Sequence, residues 1–237
     1  PDWERNRFTL DEGLSKSVIK IFVQMYRDGL IYRDKRLVNW DPKLLTAISD
    51  LEVEQRELES SMWHLKYRIE GTKNEFISIA TTRPETMLGD GAVAVHPDDE
   101  RYRHLVGKMA ILPLSDRPIP IISDEYPDPE KGSGAVKITP AHDFNDFEVG
   151  RRHDLPLINL MTETANMAAI PEIPEKYQGM DRYEARKHIL ADMAAKGLVE
   201  FEEKVQNSVP HGDRSGVVVE PWLMDQWSVS AAELATP

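Results

Sequence analysis

Side chains alternate between apolar and polar along residues 63–69, and this alternation restricts the possible folds more than any other feature of the sequence. The apolar positions are Trp63, Leu65, Tyr67 and Ile69, and the polar ones are His64, Lys66 and Arg68. A period of two is typical of a strand with one buried face. A turn-like segment at 70–74 and an apolar segment at 76–80 follow. The order predicts a β-hairpin, whose apolar face needs further strands to cover it.

Several further short strands are predicted in the middle of the chain. They cover residues 92–95, 109–112, 119–122, 135–139 and 156–161, and Pro and Gly residues separate them. Such a series favours a closed or nearly closed sheet, because closure removes exposed strand edges. The sequence therefore predicts a mixed β/α fold with a closed or nearly closed β-barrel core and peripheral helices.

Two helices are predicted at the periphery. The first covers residues 10–28, with Thr9 and Glu12 as a capping box and Gly29 as the stop. The second covers residues 182–196, between Asp181 and Gly197. Short strands are also expected at 36–42 and 216–221. Because both ends of the chain resemble strips of another domain, we expect an insertion that has been cut out with its stems.

Composition excludes several classes of protein. The chain has 237 residues, no Cys and a formal net charge of -12. Without Cys, disulfides, iron–sulfur clusters and thiol nucleophiles are excluded, and a cytoplasmic location is the expectation. No apolar run approaches the roughly 20 residues that cross a bilayer, so no membrane partner is expected. A broad positive surface for nucleic acid is also excluded, so any polyanion must be bound locally.

The densest group of polar residues lies between Gly132 and Gly150. In the predicted strand, Lys137 and Thr139 point to the same face. Asp143 and Asp146 are three residues apart where a helix is expected to begin, so both lie near its N-terminus. An ammonium, a hydroxyl and two carboxylates can therefore converge.

Two other interpretations of this group remain open. Asp143 is also compatible with a simple N-cap, and Asp146 with a first-turn acid that the helix dipole favours. Alternatively, His142, Asp143 and Asp146 are residue types that bind divalent metals, as in a metal-dependent phosphohydrolase. Adjacent residues point apart in regular structure, and no second His/Asp cluster is evident, so the metal interpretation is the weaker one. The sequence predicts no metal site.

A second polar group follows the hairpin, in the segment Ala80–Asp90. It contains Thr81, Thr82, Arg83, Glu85 and Thr86. Hydroxyls at a strand end supply donors and acceptors to a cleft, and an arginine binds carboxylate or phosphate. A solvated loop, in a non-catalytic interaction module, is the alternative.

The two segments together resemble a known family. Residues 80–90 resemble the threonine-rich motif that the editing domains of valyl-, isoleucyl- and leucyl-tRNA synthetases share, and residues 132–146 resemble their second signature. The flanking segments 8–14, 36–42, 46–54 and 212–216 resemble the valyl enzymes within this class I family, and the resemblance covers essentially the whole chain. Neither ATP-binding signature of the synthetase core is present, so aminoacylation is not expected here.

The resemblance implies post-transfer editing, the hydrolysis of mischarged threonyl-tRNA(Val). In the family, the second aspartate binds the substrate α-ammonium, which implies that role for Asp146. Lys137, Thr139, Asp143 and Arg83 are then expected around the side chain and terminal ribose, and Thr81, Thr82 and Thr86 around the terminal adenosine. Glu85 and His142 complete the predicted substrate-binding set, and Asp146, Lys137 and Asp143 are the residues predicted to carry the catalytic step. No cofactor is implied for this segment, whereas the parent enzyme uses ATP and magnesium.

The resemblance also implies partners and boundaries. The expected partners are the aminoacylated 3′ end of tRNA(Val) and the remainder of the synthetase. Residues 1–55 are predicted to be a helix and stem strand from the core side, 56–207 the editing domain, and 208–237 the return stem.

Overall fold

The computed structural model describes residues 3–235 and divides the chain into two compact units. Of the described residues, the smaller unit comprises 3–36 and 224–235, and the larger comprises 37–223. No helix in the described part of the chain is long and apolar enough to cross a membrane.

In the described part of the chain, strands contribute more residues to the fold than helices do. The helices are α1 Glu12–Arg27, α2 Phe144–Arg152, α3 Arg182–Ala195 and α4 Ala231–Leu234. The strands are β1 Ile31–Asp41, β2 Thr46–Ile48, β3 Val53–Ile69, β4 Phe76–Thr81, β5 Ala92–Val95, β6 Met109–Ile111, β7 Pro118–Ser123, β8 Ala135–Ile138, β9 Val199–Gly212 and β10 Glu220–Val229. The mixed α/β class predicted from the sequence is confirmed.

The smaller unit is built on α1. Its N-cap is Asp11, whose carboxylate accepts the Leu14 N–H at 2.8 Å. The predicted cap, Thr9, was wrong, because an aspartate adjacent to the first helical turn is a stronger acceptor there. After the helix, Gly29 has a φ of 77°, as the predicted stop requires. Phe22 packs edge-on against Trp227 within this unit.

A seven-stranded sheet forms the core of the larger unit. The strand order is β4–β3–β6–β7–β5–β8, and β9 also pairs with β3. The predicted hairpin is confirmed: β3 and β4 are antiparallel, from Trp63 opposite Thr81 to Arg68 opposite Phe76. The path of strands is open, and within residues 3–235 no pairing of β4 with β8 closes it. The sheet is therefore a curled half-barrel, and full closure is not observed.

Alternation along β3 places one face in the core. Leu65, Tyr67 and Ile69 have no exposed surface. His64, on the other face, is also buried, because the ring of Phe201 in β9 stacks on it with centroids 3.9 Å apart. The pattern therefore identified the core face correctly and underestimated the burial of the opposite one.

Two predicted strands are absent or shifted. Residues 156–161 form only an isolated bridge between Met161 and Met167. The backbone N–H of Leu160 is instead bonded to a side chain, the Nε2 of His142. The predicted strand at 216–221 was largely wrong as well, since β10 begins at Glu220 and Gly216 adopts a φ of 69° in a turn.

Candidate functional site

A cavity of about 220 Å³ lies between the segment that follows β4 and the residues around β8 and α2. Its lining residues are Met62, Ala80, Thr81, Thr82, Arg83, Thr86, Tyr126, Val136, Lys137, Thr139, His142, Asp143 and Asp146. Nine of the ten candidate residues are in this set. The tenth, Glu85, is buried just outside this set, where it accepts hydrogen bonds from Arg83 and from Arg186 of α3. Two polar segments that are about 50 residues apart in the sequence thus meet at one site.

Local hydrogen bonds fix the threonine-rich segment. Pro84 begins a 3₁₀ helix, Pro84–Gly89, directly after the strand. The Thr81 hydroxyl oxygen accepts the Arg83 N–H at 3.0 Å, and the Thr86 hydroxyl donates to the Arg83 carbonyl at 3.0 Å. These bonds hold the turn and determine where the two hydroxyls lie.

Lys137 is buried and directs its ammonium group to neighbouring protein atoms. Its Nζ donates to the hydroxyl oxygens of Thr86, at 2.9 Å, and Thr139, at 2.5 Å. The carboxylate of Asp90 lies 3.4 Å from the same nitrogen. Asp90 also accepts the Thr139 hydroxyl at 2.6 Å and the Tyr67 hydroxyl at 2.8 Å. Burial raises the pKa of Asp90, and the charge of Lys137 opposes that effect.

The two aspartates of α2 have different environments. Asp143 is exposed and caps the helix, accepting the backbone N–H groups of Asn145, at 2.8 Å, and Asp146, at 3.0 Å. Asp146 is buried, and one of its oxygens accepts the Thr139 N–H at 2.8 Å. Burial raises the pKa of Asp146 to about 7; Asp143 and Asp90 add to this, and Lys137 opposes it. Asp143 is thus an N-cap that also lines the cavity. Asp146 is buried and bonded to Thr139, so a favourable interaction with the helix dipole is not its only role.

His142 is a neutral, buried side chain. Its Nε2 accepts the backbone N–H of Leu160 at 2.8 Å, which places the proton on Nδ1. Within the described residues Nδ1 has no hydrogen-bond partner. Burial, with the charges of Arg83 and Lys137, lowers its pKa to about 3. A general-base role for Nε2 is excluded in this arrangement, because its lone pair is already in use.

A buried network of ion pairs fixes Arg83 at the edge of the cavity. Arg83 donates to Glu220 at the start of β10, to Glu85, and to the His142 carbonyl at 3.2 Å. Glu220 also binds Arg182 of α3 at 2.6 Å. Burial opposes the charge, yet Glu220 and Glu85 raise the pKa of Arg83 above its ordinary value. Most of the donors of Arg83 are therefore occupied within the protein.

Sequence reasoning missed several residues of this region. Tyr126 lines the cavity, and burial, Asp146 and Asp143 raise its pKa to about 12. Asp90 ends the threonine-rich segment, and its position there does not predict a role at the site. Glu220 lies far from both motifs in the sequence, so only a structure brings it to Arg83.

A second, larger groove adjoins the cavity. Its volume is about 730 Å³, and it shares Thr82, Arg83 and Asp143 with the cavity. Polar side chains such as Gln55 and Asn207 and apolar ones such as Val209 and Pro221 line the rest of it. In the described residues, no group of three or more His, Asp or Glu side chains is placed to hold a metal ion.

Comparison with known proteins identifies the class of this chain. The family model for tRNA synthetases class I (I, L, M and V) matches residues 1–237. The chain therefore belongs to the class I tRNA synthetase family, as the sequence resemblance indicated.

Within this family, the chain is similar to valine–tRNA ligases. It is 58% identical to that of Mesorhizobium japonicum over 257 residues, which cover 100% of this chain and 28% of the ligase. It is 60% identical to that of Rhodopseudomonas palustris and 58% identical to that of Francisella tularensis, covering all of this chain and 27% and 26% of those ligases. The chain spans about a quarter of the length of these relatives.

Proposed function

We propose that this chain edits valyl-tRNA synthesis by hydrolysing the ester of threonyl-tRNA(Val) after transfer of the amino acid. The observation that carries the proposal is the small cavity, about 220 Å³, lined by hydroxyls, an ammonium and two carboxylates. Valine and threonine have nearly the same shape, and an apolar pocket only weakly rejects an added hydroxyl. A polar pocket pairs with the hydroxyl of threonine and leaves its own groups unpaired against valine, at a cost of roughly 1–3 kcal/mol per group.

The residues take roles that their positions support. Asp146 binds the substrate α-ammonium, because it is a buried carboxylate with one oxygen bonded to Thr139 and the other available. Thr86, Thr139 and Lys137 surround the substrate side chain. Thr81, Thr82, Arg83 and Asp143 border the opening towards the terminal ribose and adenosine. His142 forms part of the wall and is held in place by the Leu160 N–H that its Nε2 accepts.

Hydrolysis requires no relay of catalytic side chains. An aminoacyl ester is already activated, so a water held near the carbonyl carbon reacts when orientation and electrostatics lower the barrier. Nε2 of the neutral His142 already accepts the Leu160 N–H, so it does not bind the water. Oxygens of the cavity wall and a ribose hydroxyl of the substrate position the water instead. We assign no metal and no cofactor to this step.

The proposed partners are the aminoacylated 3′ end of tRNA(Val) and the rest of the synthetase. The 730 Å³ groove adjoins the cavity at Thr82, Arg83 and Asp143, so it offers space for the nucleotides that precede the terminal adenosine. A cytoplasmic location follows from a role in protein synthesis.

Single-turnover deacylation tests the proposal. Threonyl-tRNA(Val) and valyl-tRNA(Val) are each mixed with excess chain, so that weak RNA binding is overcome by concentration. We expect hydrolysis of the threonyl ester well above the spontaneous rate and little acceleration of the valyl ester. Equal, unaccelerated rates on both esters at saturating protein would overturn the proposal and favour a non-catalytic interaction module.

A further inference from the structure

The ammonium group of Lys137 has no N–H left for a ligand. Its three hydrogens are directed at Thr86, Thr139 and Asp90, with donor–acceptor distances of 2.9, 2.5 and 3.4 Å. The side chain is only 9% exposed. Lys137 therefore contributes to the cavity by organising the two hydroxyls that accept its hydrogen bonds.

Both hydroxyl hydrogens are also committed to protein acceptors. Thr139 donates to Asp90 at 2.6 Å, and Thr86 donates to the Arg83 carbonyl at 3.0 Å. A hydroxyl oxygen has two lone pairs, of which Lys137 uses one in each case. Each of these oxygens therefore has one lone pair left and no hydrogen to give. Since both threonines line the cavity, they face a ligand as acceptors.

Asp90 is held rigidly beneath this arrangement. It has no exposed surface, and Tyr67 donates to its second carboxylate oxygen at 2.8 Å. Arg117 binds the backbone carbonyl oxygens of Asp90, at 2.8 Å, and Leu88, at 2.9 Å. The carboxylate thus cannot turn away from Thr139 and Lys137 without breaking several bonds.

We propose that Asp90 is a positioning residue that fixes the hydrogen-bond polarity of the cavity, so that Thr139 and Thr86 accept a hydrogen bond from the side-chain hydroxyl of the substrate. This inference rests on the proposed function. It adds that the substrate hydroxyl is recognised as a donor. A group of similar size that cannot donate is then rejected in the same way as the methyl group of valine.

Three esters of tRNA(Val) separate donor recognition from size. They carry threonine, 2-amino-3-fluorobutyrate, in which fluorine replaces the hydroxyl, and valine. With the unmodified chain we expect single-turnover hydrolysis of the threonyl ester to be about 5- to 150-fold faster than that of the fluorinated ester, the range expected when a polar group is left unpaired. Equal rates on these two esters would overturn the inference while leaving the proposed function intact.

Asp90→Asn tests the positioning role. The amide removes the charge that holds Lys137 and can present a donor to Thr139, so the ratio of threonyl to fluorinated rates should fall towards one. The ratio is independent of how much of the preparation is folded, because both rates scale with the same active fraction. A purely structural role for Asp90 would lower both rates equally and preserve the ratio, and that result would contradict the inference.

Two further variants make the result specific. Asp41→Asn is the matched control, since Asp41 is a buried carboxylate that lines neither cavity, and its ratio should stay at the unmodified value. Tyr67→Phe removes a donor from the other oxygen of Asp90 and should retain most of the ratio. No hydrolysis of the threonyl ester by the unmodified chain would refute the proposed function itself, and this inference with it.

Discussion

At the scale of single residues, Asp146 combines a structural hydrogen bond with the ligand-binding role that we propose for it. One oxygen holds the Thr139 N–H, so Asp146→Ala would leave that buried donor unpaired, and loss of stability would accompany loss of activity. Asp146→Asn retains an acceptor of the same shape. The asparagine variant is therefore the sharper probe of the charge.

The pKa of Asp146 predicts opposite effects of pH on activity and stability. Only the ionised carboxylate pairs with an ammonium, so the rate above the spontaneous reaction should rise as pH increases through about 7. The folded pKa lies above the ordinary 3.8, so this group's contribution to stability is fully present at low pH and is lost between about pH 4 and 7.

Asp146→Asn should remove both effects. We expect the enzymatic rate to fall about 10- to 150-fold at pH 8, the cost of one charged hydrogen bond, and to lose its rise near pH 7. The melting temperature of the unmodified chain, relative to the variant, should decline from pH 5 to pH 8. Deacylation rates and thermal melting across this range test both, and a variant whose pH–rate profile matches that of the unmodified chain would remove Asp146 from the ammonium site.

Metal removal should leave the activity unchanged. Nε2 of His142 is occupied by Leu160, and Asp143 caps α2, so these two members of the possible metal set are already engaged. We expect deacylation to survive EDTA once the magnesium that folds the RNA is restored. Loss of activity that zinc or manganese restores, and magnesium does not, would support the phosphohydrolase alternative.

The candidate cavity could be predicted from sequence only in part. Residues 80–86 and 137–146 each carry several polar groups in a row, so the two segments were visible. Strand pairing and chain reversal bring three further residues to this region: Asp90, Tyr126 and Glu220. No local sequence pattern indicates such contacts.

At the scale of secondary structure elements, an element is easiest to predict from sequence when one of its faces is apolar and the other polar. The hairpin and α3 were found because one face is apolar or because an aspartate and a glycine delimit the element. β9 was missed: its residues 200–204 are charged or exposed, so no alternation is visible, and the strand exists because its backbone pairs with β3. Backbone hydrogen bonds to a neighbouring strand stabilise a strand even when its side chains show no alternating pattern.

Glu220 connects β10 to α3 and to the edge of the cavity. It is 3% exposed and binds both Arg83 and Arg182. Glu220→Gln removes the negative charge with which both arginines pair in the buried network. This loss should lower the free energy of unfolding by about 3 kcal/mol. Urea denaturation measures the change. Glu57→Gln, at an exposed position of β3, is the control, and equal midpoints for the two variants would show that the network does not stabilise the fold.

At the scale of the whole molecule, the net charge restricts how this chain can bind the RNA that we propose as its partner. The chain has a net charge of -12, and Arg83 and Lys137 are the basic residues among those that line the two cavities. Both are already paired with protein acceptors. If the proposed partner is correct, we expect the 3′ end of the RNA to be recognised through hydrogen bonds and shape, with few phosphates neutralised by this chain.

A shallow dependence of RNA affinity on salt follows from this charge distribution. Each neutralised phosphate of a single strand contributes a slope of about −0.7 to the plot of log K against log salt concentration, so two or fewer contacts give a slope no steeper than about −1.4. The half-saturating protein concentration for threonyl-tRNA(Val), measured at single turnover between about 50 and 200 mM salt, gives this slope. Magnesium is held constant so that RNA folding does not contribute. A slope near about −4 would require roughly six phosphate contacts, more than the paired Arg83 and Lys137 can supply, and would place RNA binding on a basic surface away from the cavity.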